Sequence, residues 1–385
     1  MSVTSPKGFR ASGVAAGIKA PGLLDVAVVI NDGPRHAAAG VFTSNRFQAA
    51  PVLWSQDVVR RGRITAVALN SGGANACTGA AGYADTVATA EHLAELLDCP
   101  LDQVAVSSTG LIGARLPMQT LLAGLTEATA AATDTPAAAE AAATAILTTD
   151  TCVKQAHALG AGYQLGGMAK GSGMLAPELA TMLVVITTDA VLDPVSAQES
   201  LAAATTVTFN RIDSDGCMST NDAVLLLASG ASQVSPTEAE FTELLTELCD
   251  SLAQQLIADA EGASKEIRVD VVNALTEADA VSAARTVARS NLLKCAIHGG
   301  DPNWGRVLSA LGTSSAQFEP DQVDVAINGI WVCRGGEVGE DRNLVDMAGR
   351  HVTITINLNA GVATGTIRTN DLTAGYVHEN SSYSS

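Results

Sequence analysis

Aromatic side chains are scarce in this chain: Trp, Tyr and Phe together make up 3% of its 385 residues. So few rings cannot build the stacking platforms that hold single-stranded nucleic acid. Basic residues are also few, 22 Lys and Arg against 40 Asp and Glu, for a net charge of −18. No lysine-rich run stands out, so a phosphate backbone is excluded as the expected partner. Long apolar stretches are missing. None reaches the roughly 18 residues of a membrane helix, and the opening MSVTSPKGFRASG has no apolar signal core. The seven cysteines include no Cys-x-x-Cys, which fits buried, reduced thiols in a cytoplasmic protein. The six histidines form no i, i+3 or i+4 pair, so no zinc-binding helix and no metal are expected. There is no Walker loop and no Gly-x-Ser-x-Gly elbow.

What is present is 47% hydrophobic residues, enough to exclude a disordered chain. The length exceeds one ordinary core, so two domains or one large α/β unit is expected. Acid is concentrated late. Residues 1–180 carry 11 basic and 13 acidic side chains, a net of −2, whereas residues 181–385 carry 11 and 27, a net of −16. We read the excess as a solvated acidic surface.

Apolar runs at 25–30, 64–69, 104–107, 182–187, 269–272 and 352–357 read as strands. Stretches rich in Ala, Leu and Glu at 83–98, 117–132, 136–147, 194–205, 236–258 and 276–292 read as helices. Pro117 and Pro236 stand near two of the helix starts. Strands and helices mix without strict alternation, which favours a layered α/β or α+β fold over a doubly wound sheet.

Three motifs are set aside. Gly171-Ser-Gly173-Met-Leu-Ala176 fits a dinucleotide fingerprint, but no apolar strand precedes it and Pro177 interrupts any helix. Asn380-Ser-Ser382 matches a glycosylation acceptor and, with no signal peptide, is expected to be inert. His298, beside Gly299-Gly300-Asp301, reads as a loop histidine satisfied by backbone, with catalysis as the other reading.

Chemistry centres on residues 166–189. There a glycine-rich stretch, read as a flexible loop, ends in Ala-Pro and runs into an apolar strand, with Thr181 between Ala180 and Met182. A self-cleaving N-terminal nucleophile needs this layout: a small residue before the hydroxyl and a loop that tolerates strain. A freed α-amine, with a reference pKa of about 7.7–8.0, could then serve as general base. A threonine that merely opens a strand is the competing reading. The turn Ser107-Ser-Thr109-Gly110 offers a hydroxyl beside a glycine N–H, which suits an oxyanion hole or a helix cap. The run Asn70-Ser-Gly-Gly-Ala-Asn75-Ala-Cys77-Thr-Gly79 reads equally as turn chemistry or as a pocket wall.

Taken in order, these segments resemble the ornithine acetyltransferases, also called glutamate N-acetyltransferases, of arginine biosynthesis. The resemblance spans the chain. It includes Pro6-Lys-Gly-Phe9, Gly17-Ile-Lys19, Val41-Phe-Thr-Ser-Asn45, Thr148-Thr-Asp-Thr151, MAKGSGMLAPELATML, Phe209-Asn-Arg, Ser219-Thr-Asn-Asp222, Asp259-Ala-Glu261-Gly262 and Gly300-Asp-Pro-Asn-Trp-Gly305. It implies an α/β sandwich of the N-terminal-nucleophile type with a second, smaller C-terminal α/β domain. It implies cleavage between Ala180 and Thr181, giving a first chain of residues 1–180 and a second of residues 181–385. It further implies an acetyl-Thr181 intermediate and ping-pong transfer from N2-acetylornithine to glutamate, with no cofactor, and admits acetyl-CoA as a second donor. By the same resemblance Thr109 and Gly110 stabilise the oxyanion, and Thr148, Lys170, Thr181, Glu261, Asn380 and Ser385 bind substrate. It suggests a heterotetramer of two cleaved protomers in the cytoplasm. The residue types agree: Lys170 suits an α-carboxylate and Glu261 an ammonium. Two positions depart from the family pattern. Ser385 stands where threonine is usual, and Cys217-Met218 replaces a more polar pair. An aminopeptidase or amidase using the same Thr181, and an uncleaved amino-acid-binding protein, are the alternatives.

Overall fold

The computed structural model describes residues 2–176 and 182–382, and its contacts divide these residues into two units. The first holds 2–210 with 217–256, and the second 211–216 with 257–382. Ala180, Thr181 and Ser385 lie outside the described residues.

The first unit is built on two sheets. One has the order β1-β2-β4-β5, from β1 (Phe9–Val14), β2 (Val26–Asn31), β4 (Ala66–Asn70) and β5 (Val104–Ser108). The other has the order β3-β9-β8-β7-β6, from β3 (Ala37–Phe42), β6 (Lys154–Leu159), β7 (Gln164–Lys170), β8 (Leu183–Thr188) and β9 (Ala223–Ala228). The helices are α1 (Ala50–Val59), α2 (Gly79–Leu97), α3 (Met118–Ala131), α4 (Pro136–Ala145), α5 (Pro194–Val207) and α6 (Glu238–Ala258).

Successive side chains of a strand point to opposite faces of its sheet, and in β2 both faces are apolar. Ala27 and Val29 join a core shared with Val67 and Leu69 of its own sheet and with Met168, Val185, Leu225 and Leu227 of the other. Val26, Val28 and Ile30 point the opposite way, onto Leu93 of α2 and Leu121 and Leu125 of α3. Both faces are covered, so the strand is uniformly apolar rather than alternating. The alanine-rich α4 joins the core of Ala27 and Val29 through Ala139, Ala142 and Ala143. The layered α/β expectation is borne out.

The glycine-rich segment is corrected. Residues 164–170 are not a loop but the buried strand β7, antiparallel to β8 with Lys170 opposite Leu183. Its glycines serve close packing. A Cβ on Gly166 would lie 2.0 Å from the Ser2 carbonyl oxygen, and one on Gly167 would meet Leu252 and Leu248 of α6 at 3.0 and 3.2 Å. Lys170 therefore ends a strand and is 1% exposed.

The second unit contains β10 (Glu266–Ala274), β11 (Asp324–Ile327), β12 (Ile330–Arg334), β13 (Glu337–Val338), β14 (His351–Asn357) and β15 (Ala363–Asn370), in the order β13-β12-β11-β14-β10-β15. It also contains α7 (Glu277–Ala288), α8 (Asn291–His298), α9 (Trp304–Leu311) and α10 (Ala374–Ser382). Alternate residues of β10 and β14 pack against α7, α8 and α9 in one core. Residues 182–210 and 217–256 belong with the first unit, so the 180/181 junction does not coincide with a boundary between units. Among the described residues no helix is long and apolar enough to cross a membrane.

The cysteine expectation is also corrected. Cys249 and Cys333 are buried, but Cys77, Cys152, Cys217 and Cys295 are exposed. Wide spacing excludes a disulfide framework and carries no information about burial.

Candidate active site

The turn after β5 is clamped from several sides. The Thr109 N–H donates to the Asn70 carbonyl at 3.0 Å. The Ser108 hydroxyl donates to Asn70 Oδ1 at 2.6 Å, and Asn70 Nδ2 donates to the Gly73 carbonyl at 3.0 Å. Gly110 has φ +126°, and a Cβ there would sit 2.6 Å from the Gly72 carbonyl carbon and the Gly73 nitrogen. Only glycine fits this approach. The run from Asn70 to Gly79 is thus a network of turns: Asn70 to Gly73 hold Thr109 and Gly110, while Asn75 Nδ2 donates to the Gly82 carbonyl and Thr86 Oγ1 of α2 at 2.8 and 2.9 Å. Asn221 ties it down from another segment, donating to the Ala74 and Ser108 carbonyls at 2.6 and 2.8 Å.

Thr109 is buried, and β7 brings Lys170 to it. Lys170 Nζ donates to Thr148 Oγ1 at 2.8 Å and to Thr109 Oγ1 at 3.4 Å. Because Thr109 Oγ1 accepts here, its own proton is left to point elsewhere. Among the described residues neither that proton nor the Gly110 N–H reaches an acceptor. Two donors held side by side without acceptors are what a developing oxyanion requires.

Asp150 anchors the lysine. Its Oδ1 lies 2.7 Å from Lys154 Nζ and accepts from the Gly171 N–H at 2.6 Å. Its Oδ2 accepts from the Thr148 N–H at 3.1 Å and lies 3.9 Å from Lys170 Nζ. Burial alone would raise the Asp150 carboxyl, but the two ammoniums and the Gly171 N–H outweigh it and hold the group at about 2. Lys19 is close enough to feel both Asp150 and Lys170. Its ammonium donates to the Leu147 carbonyl at 2.9 Å, and burial pushes its pKa down. Lys19, Lys154 and Lys170 thus gather about Asp150, and the buried Asp25 adds a second carboxylate beside Lys19.

Beside the start of β8, Asp222 accepts the Met182 N–H on Oδ1 at 3.0 Å and is fully buried. Burial pushes its carboxyl well above the ordinary value. The Met182 N–H, the nearby Ser219 and Thr43 hydroxyls and the Lys170 ammonium pull the other way and do not offset it.

The fold therefore brings Thr109, Gly110, Thr148 and Lys170 together in the first unit. Glu261 and Asn380 pair in the second, where Asn380 Nδ2 donates to Glu261 Oε2 at 2.8 Å and to the Tyr376 carbonyl at 3.0 Å. Sequence reasoning missed Lys19, Asp150, Lys154, Asn221 and Asp222 as members of this constellation. The available signal was an Asp and a Lys four apart, Asp150 and Lys154, in a stretch poor in charge. His298 is also corrected. It closes α8 and is satisfied by side chains, its Nδ1 lying 2.9 Å from Asp371 Oδ2 and 3.2 Å from Ser264 Oγ. Among the described residues no group of three His, Cys, Asp or Glu side chains could hold a metal.

Known proteins show the family. The profile of the ArgJ family matches residues 10–385. The chain belongs to the ArgJ family. The arginine biosynthesis bifunctional protein ArgJ of Streptomyces avermitilis is 63% identical over 385 residues, covering all of both chains. The protein of that name from Mycobacterium tuberculosis strain H37Rv is 52% identical over 389 residues, covering all of this chain and 96% of the relative. A crystal structure of ornithine acetyltransferase from M. tuberculosis in complex with ornithine, at 2.4 Å, is 52% identical. It covers 47% of this chain and 96% of that one, with a TM-score of 0.43. The family resemblance read from motif order is borne out. ArgJ family members are acyltransferases, and this chain is an enzyme of that class.

Proposed function

We propose that this chain transfers the acetyl group of N2-acetylornithine to glutamate in arginine biosynthesis, through an acetyl-Thr181 intermediate formed after self-cleavage before Thr181. In the first half-reaction Thr181 Oγ attacks the acetyl carbonyl and the C–N bond to ornithine breaks. The Thr181 α-amine takes the hydroxyl proton and returns it to the leaving nitrogen. In the second, the glutamate amine attacks the acetyl ester, giving N-acetylglutamate and restoring the hydroxyl. One amide is exchanged for another, so no nucleotide is needed. Thr109 and Gly110 meet the oxyanion in both halves. Lys170 directs the Thr109 proton towards it and provides the cation for an α-carboxylate. Thr148 orients Lys170, while Glu261, Asn380 and Ser385 receive the rest of the substrate. Acetyl-CoA as an additional acetyl donor, assembly of two cleaved protomers and residence in the cytoplasm belong to the same reading.

The observation that carries it is the convergence of Thr109, Thr148 and Lys170 by hydrogen bonds, with Lys170 paired opposite Leu183, two residues beyond Thr181. Two measurements test it. Mass spectrometry of purified protein should give two fragments, the second beginning Thr-Met-Leu-Val. Incubation with N2-acetylornithine and glutamate should then yield N-acetylglutamate. An intact chain that turns over substrate would refute the mechanism, and release of free acetate with no N-acetylglutamate would mark a hydrolase instead.

A further inference from the structure

An exchange between N2-acetylornithine and glutamate sets one site a double task. The donor carries a single carboxylate and a side-chain ammonium, whereas the acceptor carries two carboxylates. Lys170 answers the carboxylate they share, and the second carboxylate of glutamate needs a cation of its own. Burial separates the three lysines about Asp150. Lys154 is 0% exposed and sits 2.7 Å from Asp150 Oδ1, and Lys170 is 1% exposed and already donates to Thr148 and Thr109. Lys19 alone of the three is partly exposed. The fold fixes it from both ends. Asp25, buried just before β2, accepts the Ala16 N–H on Oδ1 at 2.7 Å and the Gly17, Ile18 and Lys19 N–H groups on Oδ2 at 3.0, 2.6 and 2.9 Å. These bonds wrap residues 16–19 around one carboxylate. The Lys19 stem lies over Gly72, where a Cβ would come 3.1 Å from Lys19 Cγ, and Gly72 is the residue against which Gly110 packs. The ammonium donates to the Leu147 carbonyl, one residue before the exposed Thr148 whose hydroxyl accepts from Lys170. Lys19 therefore stands between the oxyanion turn and the Thr148–Lys170 bond. An ammonium has three donors, and among the described residues Lys19 uses one of them and makes no ion pair.

We propose that Lys19 determines acceptor specificity by binding the side-chain carboxylate of glutamate in the second half-reaction. The contact is a charge-assisted hydrogen bond from the Lys19 ammonium to that carboxylate. The same charge disfavours an ammonium at this position, so Lys19 discriminates between the two side chains instead of holding both. Asp25 keeps the loop in place through backbone N–H groups, which leaves the Lys19 head to the ligand. The proposal rests on acetyl transfer to glutamate, and the test separates a failure of that reading from a failure of this one.

Wild type, Lys19→Gln and Lys19→Arg are purified, and steady-state kinetics are recorded with N2-acetylornithine and glutamate both varied. In a ping-pong exchange kcat/KM for each substrate reports its own half-reaction. Lys19→Gln should lower the glutamate value by about tenfold or more, the least expected from losing a charge-assisted bond. Its loss for N2-acetylornithine should be smaller by at least about fivefold, the margin that separates a contact with one substrate from a general defect. Lys19→Arg keeps the charge and should keep most of the glutamate value. If wild type transfers and Lys19→Gln loses both substrates equally, or loses neither, the proposal is overturned while acetyl transfer stands. If wild type makes no N-acetylglutamate, both fail. Should Lys19→Gln not fold or mature, wild type decides with glutamine, which lacks the second carboxylate. Glutamate should exceed it about tenfold or more as acceptor, and equal acceptance overturns the contact.

Discussion

Asp150→Asn removes one negative charge and almost no volume, which makes it a clean probe of the ion cluster. In wild type Asp150 and Lys154 are 2.7 Å apart and neither is exposed, while Lys170 lies 3.9 Å away at 1% exposure. Asparagine removes the carboxylate that both buried ammoniums face. Breaking a buried pair by removing one partner typically destabilises by about 3–5 kcal/mol. Part of that loss is pH-dependent. The Asp150 carboxyl is held at about 2 in the folded chain against 3.8 ordinarily, and each unit is worth about 1.4 kcal/mol. Its depressed value therefore contributes about 2 kcal/mol. This contribution is fully present above the ordinary carboxylate range and is lost as pH falls towards 2. Urea unfolding of matured wild type and variant, read by circular dichroism at pH 7, 5, 4 and 3, measures the gap. The gap should be widest at pH 7, nearly unchanged at pH 5, and narrower by pH 3. A gap of the same size at every pH, or none at pH 7, would refute the claim that the Asp150 charge holds this cluster. Transfer activity should fall too, because Lys170 loses its anchor.

Two further substitutions address the hole itself. Thr109→Ala should lower turnover by about 10²–10³ with the processed enzyme, whereas Thr109→Ser should retain most of it; equal turnover in all three would make Thr109 a structural turn residue. Lys170→Met should weaken kcat/KM for N2-acetylornithine and glutamate alike by about tenfold to 150-fold, the equivalent of losing a charge-assisted bond of about 1.5–3 kcal/mol, measured on the fraction that mass spectrometry shows to be cleaved. Because Lys170 is buried beside Asp150, this variant should also unfold at lower urea, and a surface lysine would not show that effect.

Local chemistry settled much from the sequence alone. The apolar runs at 25–30, 104–107 and 182–187 correspond to β2, β5 and β8, because a strand covered on both faces must be apolar throughout. The alanine-rich 136–147 became α4 for reasons of propensity and close packing. The order of small motifs along the chain was enough to reach the family, since each preserves a turn or a side chain that chemistry needs. The tertiary structure decided what depends on neighbours distant in the chain. Gly166 and Gly167 read as loop residues because glycine's freedom is local, yet they lie in a strand paired on both sides, where the Ser2 carbonyl leaves no room for a Cβ on Gly166 and Leu248 and Leu252 crowd one on Gly167. Lys170 read as a loop lysine reaching for an α-carboxylate, yet it ends a strand and is buried because Thr148 and Asp150 from one segment and Thr109 from another arrive to satisfy it. Asp222 offered no sign of its state, because a carboxyl's protonation is set by the water and charge that the fold removes or supplies.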